Sequence, residues 1–487
     1  MKKHLLFLFA ALLPLVASAQ TKVEIDGIWY NLITKAKLAE VTYKGDNPYY
    51  DNDYSDSITI PATVTYNGVA YSVTSIGHSA FYECSSLTAI TIPESVKSIG
   101  SNAFNNCMNL TSATIPMNSI LTSIGDQAFE GCSSLTSITI PATVTFIGGF
   151  AFSGCNGLTS VHISDLEAWC NIDFYNDSFF MGDCNPLRFA KNLYLNGELL
   201  THLTIPATVT HIKDYTFDGC NLTSVTIHKN VTSIGKHAFL GCTGELMVEC
   251  NIPMALEDEV FGSKCGAFDG SGFSKITIGT GVTSIGSYAF SGCSKLTDIY
   301  IPEGVTSIEE GVFQGCSSLT SITIPKGVTS IGNSAFSCCN GLTAITIPEG
   351  VTSIGEGALF GCGTLTSIVL PKSIKYINSE AFANCLELTD VYCYANTVPS
   401  AGADVFRGSY IEYATLHVPA SAMNSYKATA PWSSFGTIVC LTDEDMSIEQ
   451  LTNDNSQQTI YDLCGRRVTD IEKGGIYIVG GKKVIIK

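Results

Sequence analysis

The sequence predicts a β-rich α/β solenoid, a curved stack of rungs about 23 residues long with parallel strands and short helical or 3-10 turns. Three spacings predict it. A phenylalanine recurs at Phe81, Phe104, Phe129, Phe152, Phe217, Phe239, Phe290, Phe313, Phe336 and Phe382, and Leu359 fills the same slot once. An isoleucine stands five residues before each of them, from Ile76 to Ile377, and a cysteine three residues after each, from Cys84 to Cys385. A rung this short cannot bury its own apolar face, so its stability has to come from the rungs on either side.

Residues 122–141 show one rung: T-S-I-G-D-Q-A-F-E-G-C-S-S-L-T-S-I-T-I-P. Leu135, Ile138 and Ile140 mark a strand with one buried face. Pro141 ends it, because proline cannot donate to a ladder. Val144 and Ile147 alternate with polar residues and suggest a second short strand, and Gly148 permits a tight turn. The pair Ala151-Phe152 is expected in a short helical or 3-10 turn that drives the ring into the core. Equivalent cysteines on successive rungs point the same way about 5 Å apart, a poor geometry for disulfides. They read as a buried thiol column that packs as small hydrophobes, out of reach of oxidant. Cys170, Cys184, Cys250, Cys265, Cys338, Cys393, Cys440 and Cys464 fall outside the column, and Cys170 with Cys184 or Cys250 with Cys265 could pair.

The pattern L-x-x-I-x-I resembles the leucine-rich repeat signature. The longer string T-S-I-G-x-x-A-F-x-G-C-x-x-L-T-S-I-T-I-P resembles the BspA-like leucine-rich repeats of bacterial surface proteins over roughly residues 58–420. That resemblance implies an exported, coat-associated protein linked with adhesion to host proteins or other cells. It brings no catalytic residues with it.

The remaining elements follow in chain order. Residues 1–19 read as a secretory signal, with Lys2 and Lys3 ahead of an apolar stretch and Ala17-Ser18-Ala19 as the cleavage site. Residues 20–75 read as an N-terminal β cap, with strands at Val23-Glu24-Ile25 and Trp29-Tyr30 and a hairpin signal at Asn67-Gly68. Asp51 to Asp56 resembles part of a calcium loop but lacks its glycine and distal glutamate, so it reads as a solvated acidic turn. The solenoid itself spans residues 76–440, with insertions near 164–200 and 243–275. The first insertion sets Trp169, Phe174, Tyr175, Phe179 and Phe180 among Asp173, Asp177 and Asp183, and ends in a hairpin signal at Asn196-Gly197. Insertions in solenoids often form the binding face. On that reading Trp169 and Phe180 are anchors if exposed, with Asp173 and Asp177 as a polar rim. On the other reading these aromatics plug a wide rung, and the resemblance to BspA-like proteins, which often carry a D-L-E-A-W-C insertion, points that way. The second insertion, with Phe261, Phe268 and Phe273, looks like one imperfect rung, and residues 391–440 like a final one. Residues 441–458 read as an acidic linker. Residues 459–487 form a small β segment that resembles type IX secretion sorting domains; the alternative is a hairpin module with no sorting role.

Two outward columns define what the strands offer a partner. Thr91, Thr114, Thr139, His162, Thr204, Thr226, Thr277, Tyr300, Thr323, Thr346, Val369 and Tyr392 form one; Ala89, Ser112, Ser137, Ser160, Ser224, Asp298, Ser321, Ala344, Ser367 and Asp390 form the other. Such a flat hydroxyl face suits docking, and it equally suits a soluble strand surface. The net charge of −18 and the lack of any Lys/Arg run longer than two disfavour nucleic acid and anionic membranes. No later segment has the ~20 apolar residues of a transmembrane helix. No C-x-x-C, G-x-S-x-G, H-E-x-x-H, Walker or dinucleotide motif occurs, so no metal, cofactor or catalytic set is expected. The chain therefore reads as a secreted or outer-surface bacterial protein, non-catalytic, mediating adhesion or protein–protein interaction with an extracellular or host protein. The alternatives are glycan binding and, further off, an enzyme with its site in the 164–200 insertion.

Overall fold

The computed structural model describes residues 21–49, 52–175, 184–252, 256–257, 264–442, 460–462, 476–479 and 482–485. The export signal expected at residues 1–19 and most of the 441–458 linker lie outside them. The chain divides into two units, Met1–Gly279 with Gly286–Ser294, and Thr280–Ile285 with Lys295–Lys487.

The first unit begins with an antiparallel cap, Thr21–Ile25, Ile28–Ile33 and Leu38–Thr42. Leu38–Thr42 then pairs in parallel with Val69–Ile76, which starts the stack and is itself joined to Thr63–Tyr66 through the Asn67-Gly68 hairpin. Each following rung supplies two strands. The longer ones, Asp56–Thr59, Leu87–Thr91, Ser112–Thr114, Ser137–Thr139, Ser160–Ile163 and Leu193–Leu195, pair in parallel in register, for example Ile138 with Ala113 and with Val161. The two-residue ones, Ser98–Ile99, Ser123–Ile124, Phe146–Ile147 and Asp173–Phe174, form a second parallel ladder. Further parallel strands, His202–Thr204, Ser224–Ile227, Thr243–Val248 and Gly272–Ile278, continue the first unit. In the second unit Ala344–Thr346, Ser367–Leu370, Asp390–Cys393, Thr415–Val418 and Thr437–Cys440 repeat the pattern. Three short α-helices occur among the described residues: α1 (Leu166–Cys170), α2 (Leu187–Ala190) and α3 (Met423–Ala428). Three C-terminal strands, Ile460–Asp462, Ile476–Val479 and Lys482–Ile485, pair antiparallel in a small sheet of their own.

The repeat phenylalanines are fully buried and stack ring on ring. Phe81 and Phe104 lie 5.0 Å apart at 3°, Phe104 and Phe129 5.0 Å apart at 11°, and in the second unit Phe313 and Phe336 5.5 Å apart at 12°. Those spacings are close to the distance between neighbouring strands, so one geometry serves rings and backbone. Tyr54 covers the first ring at 4.8 Å, and Trp432 and Phe435 cover Phe406, the last, edge-on. Phe268 and Ser271 occupy the phenylalanine and cysteine slots of the imperfect rung in the second insertion, with Phe268 stacked 5.5 Å from Phe290.

The Ala-Phe segment differs from the helical or 3-10 turn expected. Residues two before and two after each repeat phenylalanine from Phe81 to Phe382 adopt the left-handed conformation: Asn102 (φ 57) and Asn106 (φ 58) around Phe104, Gln127 (φ 56) and Gly131 (φ 71) around Phe129. Alternate amides therefore point along the stack. Asn102, Phe104 and Asn106 donate to the carbonyls of Asp126, Ala128 and Glu130 on the next rung at 2.9, 2.7 and 2.7 Å. The residues between them, Ala103, Asn105 and Cys107, donate within the turn, to Gly100, Asn102 and Phe104. A helix would need every amide for itself, and this turn gives half of them to its neighbour.

Two other readings also change. Gly148 is not needed for a turn conformation. A Cβ there would lie 2.4 Å from the Asp126 amide nitrogen, and one on Gly125 would lie 2.6 Å from the Ser101 nitrogen, so glycine is needed because rung backbones approach closely. The repeat cysteines are buried and form no disulfides, and neither do buried Cys170 and Cys184. They do more than fill space: the Cys107, Cys132 and Cys155 thiols donate to the carbonyl oxygens of Phe81, Phe104 and Phe129 at 3.0, 3.1 and 3.1 Å.

Truncating one ring tests the column. Phe129→Ala is expected to cost about 3–5 kcal/mol in denaturant melts, as a large cavity does, and Phe129→Leu clearly less, since Leu359 fills the same slot at 0% exposure.

Candidate functional site

In each unit the strand face presents its part of the two outward columns, mostly polar and half-buried to exposed. Beside them runs a threonine column in which several hydroxyls donate to the carbonyl of the equivalent threonine one rung back. Thr111 bonds to Thr88 at 3.0 Å, Thr136 to Thr111 at 3.3 Å and Thr159 to Thr136 at 3.0 Å, and in the second unit Thr366 to Thr343 at 3.0 Å and Thr389 to Thr366 at 3.1 Å.

Two of the ring-bearing exceptions in the outward column are paired across rungs. His162 stacks on Tyr194 at 4.8 Å, with its Nε2 3.0 Å from the Ser160 hydroxyl. In the second unit Tyr392 stacks on His417 at 4.2 Å, and His417 Nε2 lies 3.0 Å from Asp390 Oδ1. Stacking covers one face of each ring in the two pairs. Tyr300 is 53% exposed. The partners Tyr194 and His417 escape a periodic reading because one follows an insertion and the other sits in the last irregular rungs.

The first insertion is built into the stack. Its short strand Asp173–Phe174 pairs with Phe146–Ile147, and Leu193–Leu195 pairs with Ser160–Ile163, so it takes the place of one rung. Asp165 caps α1 by accepting from the Ala168 amide at 3.0 Å. Trp169 is 1% exposed; its Nε1 donates to the Thr216 carbonyl at 3.0 Å, and its ring meets Phe174 edge-on. Asn185 donates to the carbonyls of Tyr215 and Thr216, and Arg188 pairs with buried Asp218 at 3.3 Å. The expectation of Trp169 as an exposed anchor is therefore corrected: the indole plugs the rung. Asp173 is exposed, but its carboxylate is 2.7 Å from Lys213 Nζ. Asp177 and Phe180 lie outside the described residues. The exposed aromatic surface here is instead Tyr175, 52% exposed, 6.4 Å from Phe146.

One groove stands out on the turn side of the second unit. It measures about 390 Å³ and is lined by Glu310, Asn333, Ser337, Glu356, Phe360 and Glu380, with Arg407 on Glu380 at 2.7 Å. Among the described residues no three His, Cys, Asp or Glu side chains are placed to hold a metal ion. In the stretch that resembles a calcium loop, Asp53 pairs with Lys44 at 2.7 Å and Asn52 ties backbone groups together.

The pattern of rungs decides the family. The model of the BspA type leucine rich repeat region matches in six copies, over residues 42–181, 188–261, 264–389 and 308–426. The chain belongs to this family. Among solved structures, the BspA-type chain is similar to a leucine rich cell surface protein from Faecalibacterium prausnitzii A2-165, at 30% identity over 77% of this chain and 95% of that one, with a TM-score of 0.47. It is also similar to a leucine-rich repeat protein from Bacteroides ovatus ATCC 8483, at 25% identity over 81% and 99%, with a TM-score of 0.47. No curated protein resembles it closely enough to count as a relative. No helix among the described residues is long and apolar enough to cross a membrane.

If the insertion is core, its loss must show as instability. Trp169→Ala is expected to cost about 3–5 kcal/mol, and deletion of residues 165–183 to lower the thermal midpoint sharply. Both are read by circular dichroism melts against the parent chain.

Proposed function

We propose that this BspA-type protein acts at the outer surface of a bacterium, or is released from it, as a non-catalytic adhesion or interaction protein whose strand face docks an extracellular or host protein. The observation that carries this reading is the strand face itself: parallel strands in register that hold two columns of small polar side chains outward. Leucine-rich repeats bind proteins in general, and the Faecalibacterium relative is described as a cell surface protein. Export rests on the signal read in residues 1–19, and the resemblance of residues 459–487 to a sorting domain supports delivery through the outer membrane.

Protein is favoured over glycan by the ring geometry. A sugar platform needs an exposed ring face, and in His162 with Tyr194 and Tyr392 with His417 one face of each ring is covered by the other. What remains outward is a polar face with a few rings such as Tyr300, suited to many small contacts around a few anchors. The net charge of −18 adds attraction for basic partners, which salt screens.

The test is binding of the mature chain to immobilised extracellular-matrix proteins beside a glycan array. A protein ligand is expected, with affinity that falls as salt rises. Tyr392→Ala and Tyr300→Ala should weaken it about 10-fold or more if either ring is an anchor, with unchanged melts. Binding confined to glycans, or untouched by any strand-face substitution, sinks the reading.

A further inference from the structure

We infer that the cysteine column makes folding of this chain conditional on reduced thiols: the rungs stack only while the column carries S–H groups, and once stacked they resist disulfide reagents. The observation behind this is the repeated thiol bond between rungs. Besides the three at the start of the first unit, Cys242 donates to the Phe217 carbonyl at 3.0 Å. In the second unit Cys339, Cys362 and Cys385 donate to the carbonyls of Phe313, Phe336 and Leu359 at 3.1, 3.1 and 3.4 Å. Each accepting carbonyl belongs to the ring-column residue of the rung before, at the most buried point of the stack. Each of these carbonyls also accepts an amide of its own turn, as Phe104 does from Cys107 at 3.1 Å, so the thiol from the next rung fills its second acceptor site.

Two rungs that carry serine in place of the cysteine show what the slot admits. Ser409 stands three residues after Phe406, and its hydroxyl donates to the Phe382 carbonyl at 2.6 Å. Ser271 stands three residues after Phe268, buried, 3.3 Å from the Cys293 sulfur. Serine shares with cysteine a small volume and an X–H donor and differs in apolar character. At Ser409 the slot keeps the donor and its bond to the rung before, so sulfur is replaceable there. It has no spare room: every column cysteine from Cys84 to Cys385 is at most 1% exposed.

Oxidation before folding removes the donor and adds bulk together. In the unfolded chain a cysteine thiolate attacks one sulfur of a small-molecule disulfide such as oxidised glutathione. A new S–S bond forms, the old one breaks, and the departing glutathione thiolate takes up a proton. A second cysteine can displace the bound half in the same way, giving an intrachain disulfide and a second reduced glutathione. Neither product can occupy a slot of this size, and column neighbours point in parallel, which a disulfide does not accept. After folding the reaction stops. The sulfur is out of reach, and burial pushes thiols such as Cys155 and Cys339 up to about 12, leaving almost no thiolate.

The experiment uses the full mature chain, unfolded in denaturant. One sample is kept reduced; the other is treated with oxidised glutathione before dilution. Native recovery, read by circular dichroism and gel filtration, is expected to fall on the order of 10-fold or more in the oxidised sample, as overfilled core positions predict, and to return when reductant is added. A third sample is folded first and then given the same reagent. Mass spectrometry should find exposed Cys338 and Cys440 modified and the column untouched. Cys132→Ser should fold and melt near the parent, and Cys132→Ala well below it. Equal recovery from oxidised and reduced chains overturns the proposal, as does modification of Cys132 in the folded chain, or equal melts for the serine and alanine variants.

Discussion

The close approach of one turn to the next is the constraint on which the rest of this protein depends. Around each buried ring the backbone alternates left- and right-handed residues, so half the amides bond forward to the following rung. That ladder brings backbones together until a glycine is needed at Gly125 and Gly148, where any Cβ would collide with the neighbouring rung. It also sets the rings about one strand spacing apart, face to face. Strand ladders, stacked rings and thiol donors all repeat with the same step because they hang from the same backbone contact. No rung closes its own hydrogen bonds, which is the physical content of calling the fold a solenoid.

Much of this is legible in the sequence, because a slot that recurs must satisfy the same neighbours each time. The isoleucine, phenylalanine and cysteine positions give the rung and its core directly. What stays hidden is conformation carried by unlike residues. Gln127, Phe150, Tyr215 and His237 all adopt positive φ at the slot two before the ring, and none of them signals it. The rung of Phe268 is hard to read because Ser263 and Ser271 stand where isoleucine and cysteine are expected. The rung of Phe406 is veiled in the same way by Ala401 and Ser409.

The first insertion shows the limit of reading function from composition. Aromatics among acids look like a binding loop, yet Trp169 spends its N–H on the Thr216 carbonyl and its ring on Phe174. Asp173 and Asp218 spend their charges on Lys213 and Arg188. A segment that replaces a rung has to rebuild its core contacts with other residues, and large rings do so economically. The outward ring pairs carry the opposite lesson. Nothing in the sequence links His162 to Tyr194 or Tyr392 to His417, and only the stacking of rungs puts them in contact.

The threonine column beside the strands has a bearing on how water and partners meet this face. With each hydroxyl hydrogen committed to the carbonyl one rung back, Thr111, Thr136 and Thr159 have lone pairs but no proton left to offer. The stripe is thus an acceptor-only lane on a chain of net charge −18. A surface that brings its own N–H groups, such as lysine, arginine or asparagine side chains, can displace water from it and leave no bond unmade. A surface rich in carboxylates or bare carbonyls cannot. Along these rungs the repeat thereby imposes a polarity of hydrogen bonding, a selectivity written in proton direction rather than in shape.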